Sequence, residues 1–393
     1  MGVLILDQPK EVSQGGSDHQ TFARRLSAAQ PSAPQLKKHY KLEEPAHERH
    51  LAPPKGSPDA FCRDESYRTQ VVNHIAAYAE PHHGWAFYHI FTTLVALVAW
   101  YCLSEQWRWY TIPLRGLVGV RAFIQLHDMG HKSYFRNIKI SGGFKVNLNA
   151  IVGTLLSAVN VTSFQHWISG HDHHHKHSNN MDRSQLSQSA PQQAASIAKS
   201  SFSKRLMYAF VYGPMTVWTT TPFLMFGVVL RLKATKLELA YHCFVHYLLY
   251  LVFGPVILAQ EMVALAIASS IGFYLFSVQH TFPNVYRRRQ KAWDYFTNGI
   301  IGSSFLQVPS ILRWVTFGIE YHHIHHLNAR VPAYRIAECH EAAEGKIVNG
   351  KKLFHLVPRF GVLESLKFCQ FNVYNEVTEA FENAYNYVPP IAA

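Results

Sequence analysis

The chain alternates long apolar runs with polar segments that carry most of its histidines. Residues 1 to about 80 are polar and rich in Pro, Gln, Lys and Glu, as expected of a partly disordered cytosolic leader. From Gly84 to Leu103 the run GWAFYHIFTTLVALVAWYCL has no formal charge, and about 20 apolar residues suffice to span a bilayer. A polar turn, SEQW, leads to a second candidate span from Trp109 to Leu126, in which Arg115 and Arg121 should face protein or reach for the surface. The apolar stretch from Val146 to Phe164 reads as an amphipathic helix on the membrane surface. A third span runs from Leu206 to Leu230. The apolar region Leu239 to Val278, broken near Gln260 and Glu261, reads as one or two further crossings. The predicted fold is all-α integral membrane, with about four transmembrane helices and a cytosolic helical cap. Residues 81–345 form the membrane domain, and 346–393 a C-terminal cytosolic extension.

Composition sharpens this picture. Charged residues make up 16% of the chain, below the roughly 25% usual in soluble domains. A mean hydropathy of -0.06 hides apolar spans diluted by polar stretches. The formal net charge of +12 comes from Lys and Arg interleaved with apolar spans, which fits loops at an anionic membrane surface and argues against nucleic acid. Two early crossings and two later ones place the basic segments 132–145, 199–205 and 287–291 together on the cytosolic side. The densest basic run, Arg287 to Arg289, reads as a solvated run or a contact for lipid headgroups or an acidic donor. The five cysteines are scattered without a C-x-x-C, so neither a disulfide framework nor a thiolate zinc site is expected.

The 25 histidines carry the chemistry. His127 and His131 are spaced i, i+4, which puts both rings on one helical face. The segment Trp167-Ile-Ser-Gly-His171-Asp-His-His174-His175 contains an H-x-x-H-H spacing, and His322-His-Ile-His325-His326 repeats it. One metal rarely needs eight imidazoles, so the count points to two metals sharing them. Each cluster flanks a predicted span, so all three can converge just outside the bilayer. His89 reads as an ordinary packed residue, and the pair His242 and His246 as structural.

At these residues the sequence resembles the membrane fatty-acid desaturase family over roughly residues 84 to 345. The clusters match the family's histidine boxes in order, and the tail GIEYHHIHHLNARVPAYRI looks most like acyl-lipid desaturases of the Delta-12/omega-6 type. The resemblance implies a diiron centre ligated by His127, His131, His171, His174, His175, His322, His325 and His326. It adds His280 as a ligand between the last span and the third box. It implies O2 and two electrons used to remove two hydrogens from an unactivated acyl chain. No haem, flavin or nicotinamide motif is present, so electrons are expected from cytochrome b5 or a ferredoxin. Such an enzyme sits in the endoplasmic reticulum membrane of a eukaryote or the cytoplasmic membrane of a bacterium.

The second box also contains a shifted register through His173 and His177. Trp167 before it and Asn-Met-Asp-Arg after it favour the register starting at His171, which leaves His173, His177 and His323 as supporting or solvent residues. Asp128, Asp172, Asp294 and Glu320 are candidates to hold ligand rings through their second N–H. The same scaffold supports hydroxylation, acetylene formation and other lipid oxidations. A membrane metal carrier or sensor is the alternative outside the enzyme class, and it would place ligands inside the spans and use Cys or Met.

Overall fold

The computed structural model describes residues between Ser57 and Glu382, apart from 140–144, 184–191, 194–196, 198–199, 212–218, 220–232, 371–372 and 376–379. Most of the predicted span Leu206–Leu230 therefore lies outside the described residues, as do the leader up to residue 56 and the end of the chain.

The architecture is mostly helical. Helix α1 spans Glu65–Ala76, α2 His83–Tyr101, α3 Ile112–Gly130, α4 Leu148–Asn160 and α5 Phe164–His177. They are followed by α6 Lys236–Phe253, α7 Val256–His280, α8 Tyr295–Ile301, α9 His322–Leu327 and α10 Ala333–Ala343. Two of these, α2 and α7, are long and apolar enough to cross a membrane. Their outward faces agree with that. Phe91 is 64% exposed on α2 and Met262 is 42% exposed on α7, large apolar side chains that suit lipid better than water.

The apolar region Leu239–Val278 is two helices, and its break differs from the expected one. The chain turns at Gly254, whose φ of 78° is open chiefly to glycine, followed by Pro255. Gln260 and Glu261 instead sit inside α7, buried. Their polar groups are met within the protein: Gln260 accepts from Arg108, and Glu261 from Arg115 and Tyr101. Polarity here marks a buried contact, not a loop. The two hairpins α2–α3 and α6–α7 meet at this end through Trp100, Ile112, Ile257 and Ala264.

Arg115 and Arg121 both face protein, as the apolar setting demands. Arg121 lies over the rings of Trp314 and Phe317, 4.4 Å from each centroid, and donates to Thr93. Helix α4 departs from the surface-helix expectation. It packs along α3, fastened at one end where Phe135 and Asn149 exchange hydrogen bonds, and at the other where Asn160 donates to the Gly119 carbonyl. Gly119 permits that approach, because a Cβ there would lie 2.9 Å from Asn160 Oδ1.

Beyond the apolar helices lies a second core. Tyr67, Val71 and Ile75 of α1 pack with Phe296, Ile324, Ile336, Leu353 and Phe354. Part of the expected leader, residues 58–76, thus belongs to this layer, as does the start of the C-terminal extension. Strand β1 (Phe305–Gln307) pairs in parallel with β2 (Arg359–Gly361), Leu306 opposite Phe360. The arginine run is built into the fold: Arg287 is buried over Tyr374, Arg288 meets Asp59 at 3.6 Å, and Arg289 meets Asp182 at 2.8 Å.

Candidate metal centre

Helical spacing does the first part of the assembly. His127 sits in the last turn of α3 and His131 caps that helix, one turn apart. On α5, His171 and His175 share one face, with His174 beside it. On α9, His322, His325 and His326 all point inward and are at most 1% exposed. His280 is the last residue of α7.

Packing of these helices brings nine imidazoles together in two groups. His127, His131, His171, His175 and His325 form one, and His174, His280, His322 and His326 the other, each with ring nitrogens within 4.8 Å of one another. The two groups touch, since the rings of His175 and His326 stack at 4.4 Å. Short helix α9 contributes to both, because i, i+3 and i+4 positions fan across adjacent directions.

The donor set fits metal. Ligand nitrogens about 2.1 Å from an ion stand about 3 Å apart when at right angles. The Nε2 atoms of His174 and His280 are 3.1 Å apart, those of His280 and His322 2.9 Å, and those of His171 and His175 2.9 Å. Among the described residues, His131 Nε2, His326 Nε2 and both ring nitrogens of His325 are buried without a hydrogen-bond partner. Each such group costs about 1–3 kcal/mol, and a metal ion takes up the ring lone pair. Burial, reinforced by neighbouring imidazoles, holds His171, His174, His175, His322, His325 and His326 well below the usual histidine pKa. The rings are therefore neutral near pH 7, the form that binds metal.

A supporting layer orients the rings. Nδ1 of His127 is hydrogen-bonded to Asp128 Oδ1 at 3.2 Å, while the other Asp128 oxygen accepts from the Ala333 amide at the start of α10. Nδ1 of His280 donates to the Gly302 carbonyl at 3.3 Å. Asn179 donates to that same carbonyl and to Asn298, and Asn298 donates to Ser178, which lies 3.5 Å from His326 Nδ1. The indole of Trp167 stacks on His171 at 4.4 Å. Sequence reasoning missed Ser178, Asn179, Asn298 and Gly302. Ser178 and Asn179 leave a trace in the Asn-rich run after the second box, which carries no helical spacing to read, and Asn298 and Gly302 leave none.

The remaining candidates fall elsewhere. His173 bonds to the Arg183 carbonyl and meets the His177 ring at a tilt, 4.6 Å between centroids, and belongs to neither group. His323 turns to His340, 3.2 Å away, and packs on Phe354. Asp294 caps α8 and pairs with Arg68 at 2.6 Å. Asp172 is exposed, and Glu320 is buried beside Thr316 and Gly318. Neither holds a ligand ring among the described contacts. His242 bonds to Ser157 and His246 to the His242 carbonyl, both remote from the groups.

A cavity of about 520 Å³ opens beside the groups. Its walls are mostly apolar, with Val120, Ile124, Leu265, Leu275 and Phe276, and it reaches His127 and His171 of one group and His174 and His322 of the other. Apolar walls of this kind suit an apolar ligand more than a polar one.

Fold and site together define a membrane-associated protein whose two imidazole groups can hold metal beside an apolar cavity. The model of the fatty acid desaturase family matches residues 85–356, more than half of the chain, so the chain belongs to that family and is an oxidoreductase. It is 26% identical over 332 residues to a fatty acid desaturase of Bacillus subtilis, covering 79% of this chain and 89% of that one. To the sn-1 oleoyl-lipid 12-desaturase of Synechocystis it is 23% identical over 266 residues, 63% of this chain and 69% of the other. To the chloroplastic omega-6 fatty acid desaturase of Arabidopsis thaliana it is 24% identical over 274 residues, 65% of this chain and 57% of the other.

Proposed function

We propose that this protein introduces a double bond of the Delta-12/omega-6 type into acyl chains of membrane lipids, using two iron ions held by the nine grouped imidazoles. The observation that carries this reading is the cavity, whose apolar walls lead to rings of both groups at once. Bound iron supplies the O2-dependent oxidation. The overall reaction takes two hydrogens from neighbouring methylenes, two electrons from an external donor, cytochrome b5 or a ferredoxin, and two protons from solvent, and reduces O2 to two waters.

The protein's own part is placement. Helices α3, α5 and α7 hold the chain against the rings, Asp128 and the Gly302 carbonyl keep His127 and His280 in one tautomer, and the apolar walls keep water out. In this reading the hairpins α2–α3 and α6–α7 supply four crossings, and residues 281–370 with α1 form the cytosolic cap. The large apolar residues facing outward on α2 and α6 support that assignment.

Expression in a host without polyunsaturated lipids, followed by gas chromatography and mass spectrometry of total acyl chains, tests the function. A new double bond at the twelfth carbon is expected. A hydroxylated chain with no alkene would move the protein to another oxidation on the same scaffold. In the same host, His174→Ala should lose more activity than the roughly 10–100-fold typical of an outer-shell change. His173→Ala should stay within a few-fold of wild type, since its ring bonds to the Arg183 carbonyl outside both groups. Equal losses would sink the assignment of His174 over His173.

A further inference from the structure

Two glycines in the middle of helices face open space where a side chain would sit. Gly170 of α5, exposed at the cavity's rim, and Gly272 of α7, half-buried, both line the cavity, and apart from the chain neighbours and the helix's own backbone no described atom lies within 4 Å of a Cβ built at either position. Both lie in regular helix without the positive φ that would demand glycine. Glycine weakens a helix interior relative to alanine, so each position carries a local cost that no packing contact explains. Other helical glycines have such a contact. An added Cβ would strike Ile267 at Gly116, Phe164 at Gly153 and Leu327 at Gly299, so close packing accounts for them.

The two open positions are related. His174 follows Gly170 by four residues and Phe276 follows Gly272 by four, so each glycine lies one turn back on the same helical face. The rings of His174 and Phe276 are in contact, with centroids 4.9 Å apart. The bare faces of α5 and α7 therefore open on one stretch of cavity next to His174, whose Nε2 is 3.1 Å from that of His280.

We propose that Gly170 and Gly272 form the aperture through which the acyl chain passes the imidazole groups, and that side-chain size there sets which methylene pair is presented for oxidation. The inference rests on the cavity being the acyl site. A methyl at either position narrows the aperture and shifts the chain along its axis. An isobutyl group closes it.

The test uses full-length Gly170→Ala, Gly272→Ala, Gly170→Leu, Gly272→Leu and Gly272→Cys variants. The Leu variants should keep wild-type membrane insertion and iron content but lose roughly 100-fold in desaturation, the order expected when reacting atoms are misplaced by an ångström. The Ala variants should stay active with an altered double-bond position or chain-length preference. In the purified Gly272→Cys variant, peptide-resolved alkylation by N-ethylmaleimide should slow at the new thiol when oleoyl phosphatidylcholine is added. The exposed native thiol Cys102, at the end of α2, should react at an unchanged rate and serve as the reference. Leu variants with wild-type rate and product pattern would overturn the proposal, and so would alkylation at the new thiol indifferent to lipid. If the wild type makes no alkene, the desaturase reading fails, while lipid protection of the thiol still reports on the aperture.

Discussion

His325→Ala is expected to abolish double-bond formation while the protein remains folded and inserted. The His325 ring lies at the meeting of all three histidine segments, with centroids 4.4 Å from His127, 4.9 Å from His131 and 4.5 Å from His175. It is fully buried, and neither ring nitrogen has a hydrogen-bond partner among the described residues. A ring kept there without a bound metal stores an unmet polar group, so removing it relieves about as much polar strain as the lost contacts cost. Loss of the first group's fifth ligand should reduce iron per chain, read by elemental mass spectrometry, and drop product by more than roughly 100-fold, since ligand loss exceeds the usual outer-shell effect. The conservative His325→Gln keeps the volume and should fail equally. Activity within tenfold of wild type in either variant would remove His325 from the ligand set.

The contrast between His325 and its neighbour His323 shows what spacing can and cannot reveal. The i, i+3, i+4 pattern identified the face of α9 that carries His322, His325 and His326, because helical geometry is local and repeats along the chain. It also left His323 on another face, where it meets His340. The division of nine rings into five and four depends instead on how α3, α5, α7 and α9 pack, which spacing within any one segment does not encode. The same limit hid Asn298 and Gly302, whose role comes from α8 and its C-terminal cap packing against His280 and, through Ser178, against His326. Hydrophobic patterning located α2 closely, since an uncharged run has few alternatives. It misplaced the break before α7, because Gln260 and Glu261 read as a loop when their partners lie about 150 positions away along the chain. Gly254-Pro255 was the better punctuation, a residue free to take positive φ followed by one that cannot donate to a helix.

Those distant partners give the second large effect: Glu261→Ala should destabilise the protein severely, and Arg115→Met with Glu261→Met together should restore most of the loss. Arg115 and Glu261 are 3% and 6% exposed and meet at 2.6 Å. Glu261 also accepts from Tyr101, and Arg115 donates to the Val159 carbonyl, so one ion pair fastens α2, α3, α7 and the end of α4. Removing one partner leaves the other charge buried alone, at a cost of about 3–5 kcal/mol. That is a large share of a total stability of roughly 5–15 kcal/mol. Replacing both by apolar residues of similar volume removes the stranded charge together with the attraction, which is often neutral. Thermal unfolding in detergent, followed by size exclusion, separates the cases. Glu261→Ala should aggregate well below the wild-type transition, and the double variant should approach it. Asn160 and Gly119, which line the cavity, sit beside this clamp, with Arg115 Nη1 3.4 Å from the place of a Gly119 Cβ. A double variant that regains stability should therefore still show altered chain-length preference, because the deep wall of the cavity has lost the pair that fixes it. Wild-type stability in Glu261→Ala would mean that lipid or water reaches Arg115, and the clamp would have to be given up.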